Sequence, residues 1–215
     1  MNNNLKAIIF DLDGVVTDTA EYHYKSWELP LKEEGIDFTE KENEKLRGLS
    51  RRDSVKTIAQ TKDVVFTEKK ENEIMEKKNQ YYQEIIEDLN KNDMIDGIYE
   101  ILVELKNKNY KMAVASASRN AKQVIKSLDL DNFFEVIADG NSVNKSKPAP
   151  DLFLFTAKKM GFKPEECLVV EDSKAGVKGA KEAGMKVIGI GPKERIGEAD
   201  YCYKKVSDID TKKIF

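Results

Sequence analysis

The chain has 215 residues, enough to bury one or two cores, with 36 Lys and Arg against 39 Asp and Glu for a net charge of −3. That balance lacks the basic footprint of a nucleic-acid binder, and no stretch approaches the ~18–20 apolar residues of a membrane span. Met1–Lys6 does not read as a signal peptide, and two thiols, Cys167 and Cys202, point to a reducing cytoplasm with Cys167 as a buried strand residue.

In chain order, Ala7–Phe10 is a short apolar run of the kind a buried parallel strand shows. It stops at two carboxylates, Asp11 and Asp13, with Gly14 behind them. In an open α/β sheet, ligands sit outside the carboxyl ends of the strands. Two acids so close at such an end repel each other and lose solvation. A divalent cation would offset that cost, as would a division of labour into nucleophile and proton carrier. The competing reading is a solvated strand end, since Asp-Leu-Asp-Gly is also good turn chemistry.

Asp18 with Glu21 has the form of a capping box, so a helix is expected to open there. Ala20, Tyr24, Trp27 and Leu31 give it an apolar stripe, and Pro30 predicts a kink or an early end near Leu29. Residues 39–92 read as helix upon helix without a strand, with Met75, Tyr82, Ile86 and Leu89 lining one face of a highly charged segment. An inserted helical domain is therefore expected at 17–92. The second half alternates. Strands are expected at Met112–Ala115, Val136–Ala138, Cys167–Val170 and Val187–Ile190, with helices around Ile98–Leu105, Val124–Leu128, Leu152–Met160 and Ala175–Ala183. Such alternation predicts an α/β fold: a doubly wound parallel sheet over residues 1–16 and 93–215, interrupted after its first strand by the helical lobe.

Three further polar clusters follow strands of this core. Ser116-Ala117-Ser118-Arg119-Asn120 suits a phosphate, though Ser118 or Asn120 could equally be an N-cap. Lys147, held by Pro148, is a point charge in a fixed loop. Glu171-Asp172-Ser173 repeats the pattern of apolar strand then acids. With Asp11 and Asp13 it offers hard oxygen ligands suited to magnesium, although Asp172 or Ser173 could simply cap the next helix.

In this order, and each after a strand, Asp11-x-Asp13, Ser116, Lys147 and Glu171-Asp172 resemble the four motifs of the haloacid dehalogenase superfamily of phosphotransferases. The insertion resembles the helical cap of its first structural class on a Rossmann-like core. The likeness narrows to the β-phosphoglucomutase family through the run Phe10–His23, Ser50-Arg51-Arg52-Asp53-Ser54, Lys78-Asn79, Ala115–Asn120 and Ser146–Asp151. It covers nearly the whole chain, least securely the tail after Pro192. That family interconverts β-glucose 1-phosphate and glucose 6-phosphate through an aspartyl-phosphate enzyme and a bisphosphate. The resemblance implies Asp11 as nucleophile and Asp13 as general acid and base. It implies Mg²⁺ held by Asp11, the Asp13 carbonyl and Asp172, with Glu171 beside it. Ser116 and Lys147 would hold the transferring phosphoryl group, and Arg51 the distal phosphate. Ser118 and Asn120 would help seat that phosphate, with Lys78 and Asn79 contributing from the cap.

Arg47 and Arg119 stand where the family pattern suggests lysines, keeping charge but adding a planar fork. His23, the single histidine, falls within the family-like run near the Asp13 proton path; a lone helical histidine is usually structural, and it is not placed in the catalytic set. A phosphatase on the same core is the nearest rival. A phosphate-accepting signalling receiver is disfavoured, because a receiver has no substrate for so long an insertion to enclose. The expected partner is a small sugar phosphate, with neither nucleic acid nor membrane, and the chain is expected to be a monomer.

Overall fold

Ala7–Phe10 (β1) is buried throughout and divides its four side chains between two cores. Ile8 and Phe10 enter one apolar cluster with Ile101, Leu102 and Leu105, while Ala7 and Ile9 enter another with Leu152, Phe153, Val177 and Ala180. That period-two division is what a strand with helices on both faces requires. The computed structural model describes residues 4–214; Met1–Asn3, part of the segment read for a leader, and Phe215 lie outside the described residues.

Between β1 and the next strand run α1 (Ala20–Glu33), α2 (Glu40–Asn43), α3 (Arg51–Lys62), α4 (Glu68–Ile85) and α5 (Ile98–Asn107). Strand and helix then alternate through β2 (Lys111–Ala115), α6 (Ala121–Ser127), β3 (Val136–Ala138), α7 (Asp151–Met160), β4 (Cys167–Glu171), α8 (Lys174–Glu182), β5 (Lys186–Ile190), α9 (Lys193–Ile196), β6 (Tyr201–Tyr203) and α10 (Thr211–Ile214). All strand pairings are parallel, in the order β3-β2-β1-β4-β5-β6. The chain leaves β1 toward β2 on one side and returns to β4 on the other, so the topological switch point lies at the carboxyl end of β1. Register fixes what meets there. Phe10 pairs with Val114 and Val170, which brings Asp11 level with Ala115 and Glu171.

The inserted helices have a core of their own, built from Trp27, Leu31, Phe38, Leu46, Val55, Ile58, Ile74 and Met75. The end of α4 instead joins the sheet, where Tyr82 and Ile86 pack with Val15 and Val16. The two chain crossings between lobe and sheet lie side by side. Thr17 bridges Met94, its Oγ1 donates to the Asp93 carbonyl at 2.6 Å, and Ile95 N donates to the Val16 carbonyl at 3.0 Å.

Three sequence expectations are corrected. The first helix does not end near Leu29 but runs through Pro30 to Glu33. An interior proline costs about 3 kcal/mol, whereas burying Trp27 and Leu31, each at 2% exposure or less, returns about 1.5–3 kcal/mol apiece. Nor does the Asp18–Glu21 capping box form. The helix opens at Ala20, Asp18 Oδ1 accepts only the Ala20 amide at 3.2 Å, and Glu21 pairs with Lys25 at 2.6 Å. The N-cap residue Thr19 gives its hydroxyl to Asp13 instead. Finally, β6 went unforeseen: Tyr201-Cys202-Tyr203, partly exposed at the sheet edge, lacks the aliphatic run that marks the equally short Val136–Ala138.

Candidate active site

The carboxyl edge of β1, β2 and β4 opens on a cavity of about 900 Å³ between sheet and helical lobe. Asp11 is anchored there by its own backbone, whose amide donates to the Val170 carbonyl at 2.9 Å. The chain then turns sharply: Gly14 N donates to the Thr17 carbonyl at 2.8 Å, with Gly14 at φ +86°. A side chain at Gly14 would be strained, and its Cβ would lie 2.2 Å from Asp172 Oδ2. Glycine is thus required for Asp172 to approach the loop carrying Asp11 and Asp13.

Lys147 holds the two strand ends together. Its ammonium, fully buried, lies 2.6 Å from Asp11 Oδ1, 2.5 Å from Glu171 Oε1 and 5.1 Å from the centre of the Phe153 ring. Burial opposes its charge, but Asp11 and Glu171 outweigh burial and keep it protonated beyond the ordinary lysine range. The other oxygen of Glu171 accepts from Ser173 N and Oγ, both at 2.9 Å. Gly176 makes room for this carboxylate, since a Cβ there would lie 1.7 Å from Glu171 Oε1. Ser173 is the N-cap of α8, accepting from Gly176 N, so Asp172 does not serve as that cap.

Asp11, Glu171 and Asp172 each place an oxygen within 4.8 Å of the other two. Burial, then the charge of Glu171, holds the Asp11 carboxyl well above its ordinary value in spite of Lys147. Burial and Glu171 likewise push Asp172 up to about 7, against the pull of Arg47 and Arg195. Three buried acids thus compete for too little positive charge, which is the electrostatic signature of a cation site.

Asp13 is treated differently. Its carboxylate accepts from Thr19 Oγ1 and lies 3.6 Å from His23 Nε2. His23 stacks on Tyr82 with centroids 4.4 Å apart, and its Nδ1 meets Lys78 Nζ at 2.9 Å. With Lys78 as an ammonium, which can only donate, the ring proton would sit on Nε2, facing Asp13. Burial and Lys78 lower the His23 pKa, and burial and Arg51 lower that of Lys78 well below its usual value. For Asp13, burial is outweighed by the His23 and Thr19 hydrogen bonds and by Lys78, so its pKa falls. Its side chain is not part of the three-acid cluster.

A second polar group spans the lobe and the loop after β2. Ser116 Oγ accepts from Ser118 N at 3.0 Å, and Ser118 Oγ from Asn120 N at 3.2 Å. Asn79 Oδ1 bridges Asn120 Nδ2 at 3.1 Å and Arg51 Nη2 at 2.6 Å. Burial and neighbouring Arg119 lower Arg51 to about 10, and among the described residues Arg51 makes no ion pair. Arg51 and Arg119 thus face the cavity as neighbouring cations that repel each other, an arrangement an anion would relieve.

A profile of the haloacid dehalogenase-like hydrolase family matches residues 8–190, spanning all of these groups but Arg195. The chain belongs to that family. Among its members, β-phosphoglucomutase of Bacillus subtilis (strain 168) is 39% identical over 210 residues, covering 95% of this chain and 92% of that protein. The crystal structure of β-phosphoglucomutase from Clostridium difficile superposes with a TM-score of 0.92 at 36% identity, covering 98% of this chain and 95% of that one. A phosphorylated carbohydrates phosphatase of Thermotoga maritima is 28% identical, covering 86% and 84%.

Of the residues named from sequence, Asp11, Asp13, Arg51, Lys78, Ser118, Asn120 and Lys147 line the cavity, whereas Ser116, Asn79, Glu171 and Asp172 stand behind that lining and hold it. The Asp13 partners Thr19 and His23 were not placed in the catalytic set. His23 carried a signal as the single histidine, but Thr19 was indistinguishable from an ordinary helix cap. Arg195 lies in the tail where the family likeness is weakest, and nothing in its spacing ties it to Asp172.

Proposed function

We propose that this protein is a β-phosphoglucomutase, interconverting β-glucose 1-phosphate and glucose 6-phosphate through a phosphorylated Asp11 and a β-glucose 1,6-bisphosphate. The observation that carries this reading is the pair of cationic groups on one cavity. Lys147 stands beside the nucleophile, and the unpaired Arg51 with Arg119 stands on the facing lobe and loop. A hydrolase that releases phosphate needs one grip. An enzyme that turns a bisphosphate end for end needs two, and each must accept either phosphate.

In this mechanism the substrate's C6 hydroxyl attacks phosphorus on phospho-Asp11. Asp13, kept ionised by Thr19 and His23, takes the hydroxyl proton as the Asp11 Oδ–P bond breaks. After the bisphosphate turns, an Asp11 oxygen attacks the C1 phosphate, and Asp13 returns its proton to the departing sugar oxygen. Lys147 and Ser116 steady the phosphoryl group in transit. Arg51, Ser118, Asn120, Lys78 and Asn79 hold the other end. The donor set also suits Mg²⁺: hard carboxylate oxygens, crowded and short of positive charge. Asp11, Asp172 and the Asp13 carbonyl would hold it, with Glu171 beside them, bound to Lys147 and Ser173. When bound, Mg²⁺ supplies positive charge opposite the oxygens of the transferring phosphoryl group.

Residues 17–92 would act as a cap hinged near Val15–Thr19 and Lys91–Gly97, closing to exclude water. Among the described residues no helix is long and apolar enough to cross a membrane. The proposed setting is the cytoplasm, with the chain acting as a monomer on sugar phosphates. The test is to supply β-glucose 1-phosphate with Mg²⁺ and a trace of bisphosphate. Glucose 6-phosphate with little free phosphate is the expected result; stoichiometric phosphate release would make the protein a phosphatase.

A further inference from the structure

Four charged side chains meet where the lobe touches the core. Arg47, in the turn after α2, donates from Nη1 to Asp172 Oδ2 at 2.9 Å, while its Nε and Nη2 grip Glu44 at 2.9 and 3.0 Å. Arg195, in α9, reaches the same two acids from the core side. Its Nη1 lies 3.7 Å from Glu44 and its Nη2 3.9 Å from Asp172 Oδ2. The next lobe residue, Gly48, presses on the loop that carries Asp172: a Cβ there would lie 2.2 Å from Ser173 Oγ. One carboxylate proposed for the cation is therefore already held by a guanidinium of the mobile lobe.

We propose that Arg47 is a cation surrogate delivered by the lobe. With the lobe shut and no metal present, it occupies Asp172, and a divalent cation and Arg47 compete for that carboxylate. This rests on the cation reading of Asp11 and Asp172 given above. Charge balance decides which cation leaves. Lys147 is locked between two buried acids, and Arg195 belongs to the core. Arg47 rides on the lobe and has Glu44 as a second, exposed partner, so it departs without leaving a buried charge alone. Competition is reciprocal: whatever factor the shut lobe takes from cation affinity, a bound cation takes from the lobe's hold on the core. The Glu44–Arg195 pair stays as a looser tether while Asp172 changes partner.

The experiment uses the full chain, Mg²⁺ titration by calorimetry, and a dye pair on exposed Cys202 and an introduced Val65→Cys on the lobe. Arg47→Gln should tighten Mg²⁺ binding by roughly 10-fold or more, the scale of a lost charge-assisted hydrogen bond. Arg47→Lys should stay near the native affinity. Arg195→Gln, beyond hydrogen-bond reach of Asp172, should tighten it by less than Arg47→Gln. Mg²⁺ alone should lengthen the dye distance in the native background and leave it unchanged in Arg47→Gln, where it starts long. Affinity in Arg47→Gln no tighter than native, or a native dye distance indifferent to Mg²⁺, overturns the competition and leaves the cation site standing. Absence of Mg²⁺ binding to the native chain overturns both.

Discussion

Lys147→Met is the most demanding test of the core electrostatics. The substitution keeps an unbranched apolar chain of similar length and removes the ammonium. In the native chain that ammonium faces Asp11 and Glu171 from a fully buried position, and their side chains are 5% and 0% exposed. Removing one partner of a buried ion pair costs about 3–5 kcal/mol, because the charge left behind regains neither water nor a counterion. For a chain of this length each kcal/mol lowers Tm by about 2–4 °C, which predicts a loss of about 6–20 °C. Thermal and urea unfolding in chelator, followed by circular dichroism and by fluorescence of the single tryptophan, Trp27, measure the shift in Tm and in free energy. Adding Glu171→Gln should recover a substantial part of the loss, since the double variant buries one charge fewer and Gln can still accept from Ser173. A single variant within about 1 kcal/mol of native would refute the reasoning, for it would mean that Lys147 neutralises nothing in the folded state.

Arg51→Ala should slow conversion of β-glucose 1-phosphate by about 10- to 150-fold, the value of one charge-assisted contact, while scarcely touching phosphorylation of Asp11 by acetyl phosphate, which has no second phosphate to grip. Equal loss in both reactions would place Arg51 at the transferring group. Asp13→Asn should cost roughly 10²–10⁴ in rate with Mg²⁺ affinity by calorimetry nearly unchanged, because its carboxylate faces Thr19 and His23; a large affinity loss would make it a ligand. Glu42, paired with Lys62 at 2.7 Å and closing a capping box with Thr39, has its pKa lowered from 4.5 chiefly by Lys62. A depressed carboxyl stabilises the fold above its unfolded pKa and loses that contribution as pH falls through the folded value, so Glu42→Gln should destabilise the chain in urea at pH 7 and match native under acid.

The sheet was legible because it is buried on both faces. Ala7–Phe10, Met112–Ala115, Cys167–Val170 and Val187–Ile190 are uninterrupted apolar runs, and the structure extends three of them by a single residue. The acids were legible because each sits where such a run stops. What escaped depends on contacts between distant segments. Thr19 reads as a helix cap until its hydroxyl is seen on Asp13, and Pro30 reads as a helix terminus until Trp27 and Leu31 are seen buried around it. Arg195 follows Asp172 by more than twenty residues, across one helix and one strand, and only the parallel pairing of β4 with β5 brings them together. Local pattern reports which face of an element is buried, not which charge will meet it there.

Charge explains why the helical lobe cannot be a mere cover. On the core side, Lys147 answers Asp11 and Glu171, and no second lysine does the same for Asp13 or Asp172 among the described residues. Each of those finds its closest partners in the insertion: Arg47 for Asp172, Thr19 and His23 for Asp13, with Lys78 behind the imidazole. Two acids at the same strand ends are thereby assigned different fates. In the proposed competition, Asp172 would exchange a guanidinium for a cation. Asp13 owes its lowered pKa to His23, Thr19 and Lys78, all three of them in the insertion. If the lobe opens as proposed, the His23 contact would be lost and Asp13 would bind a proton more tightly; closure would restore the base. The proposed closure would then couple substrate enclosure to the proton state of Asp13.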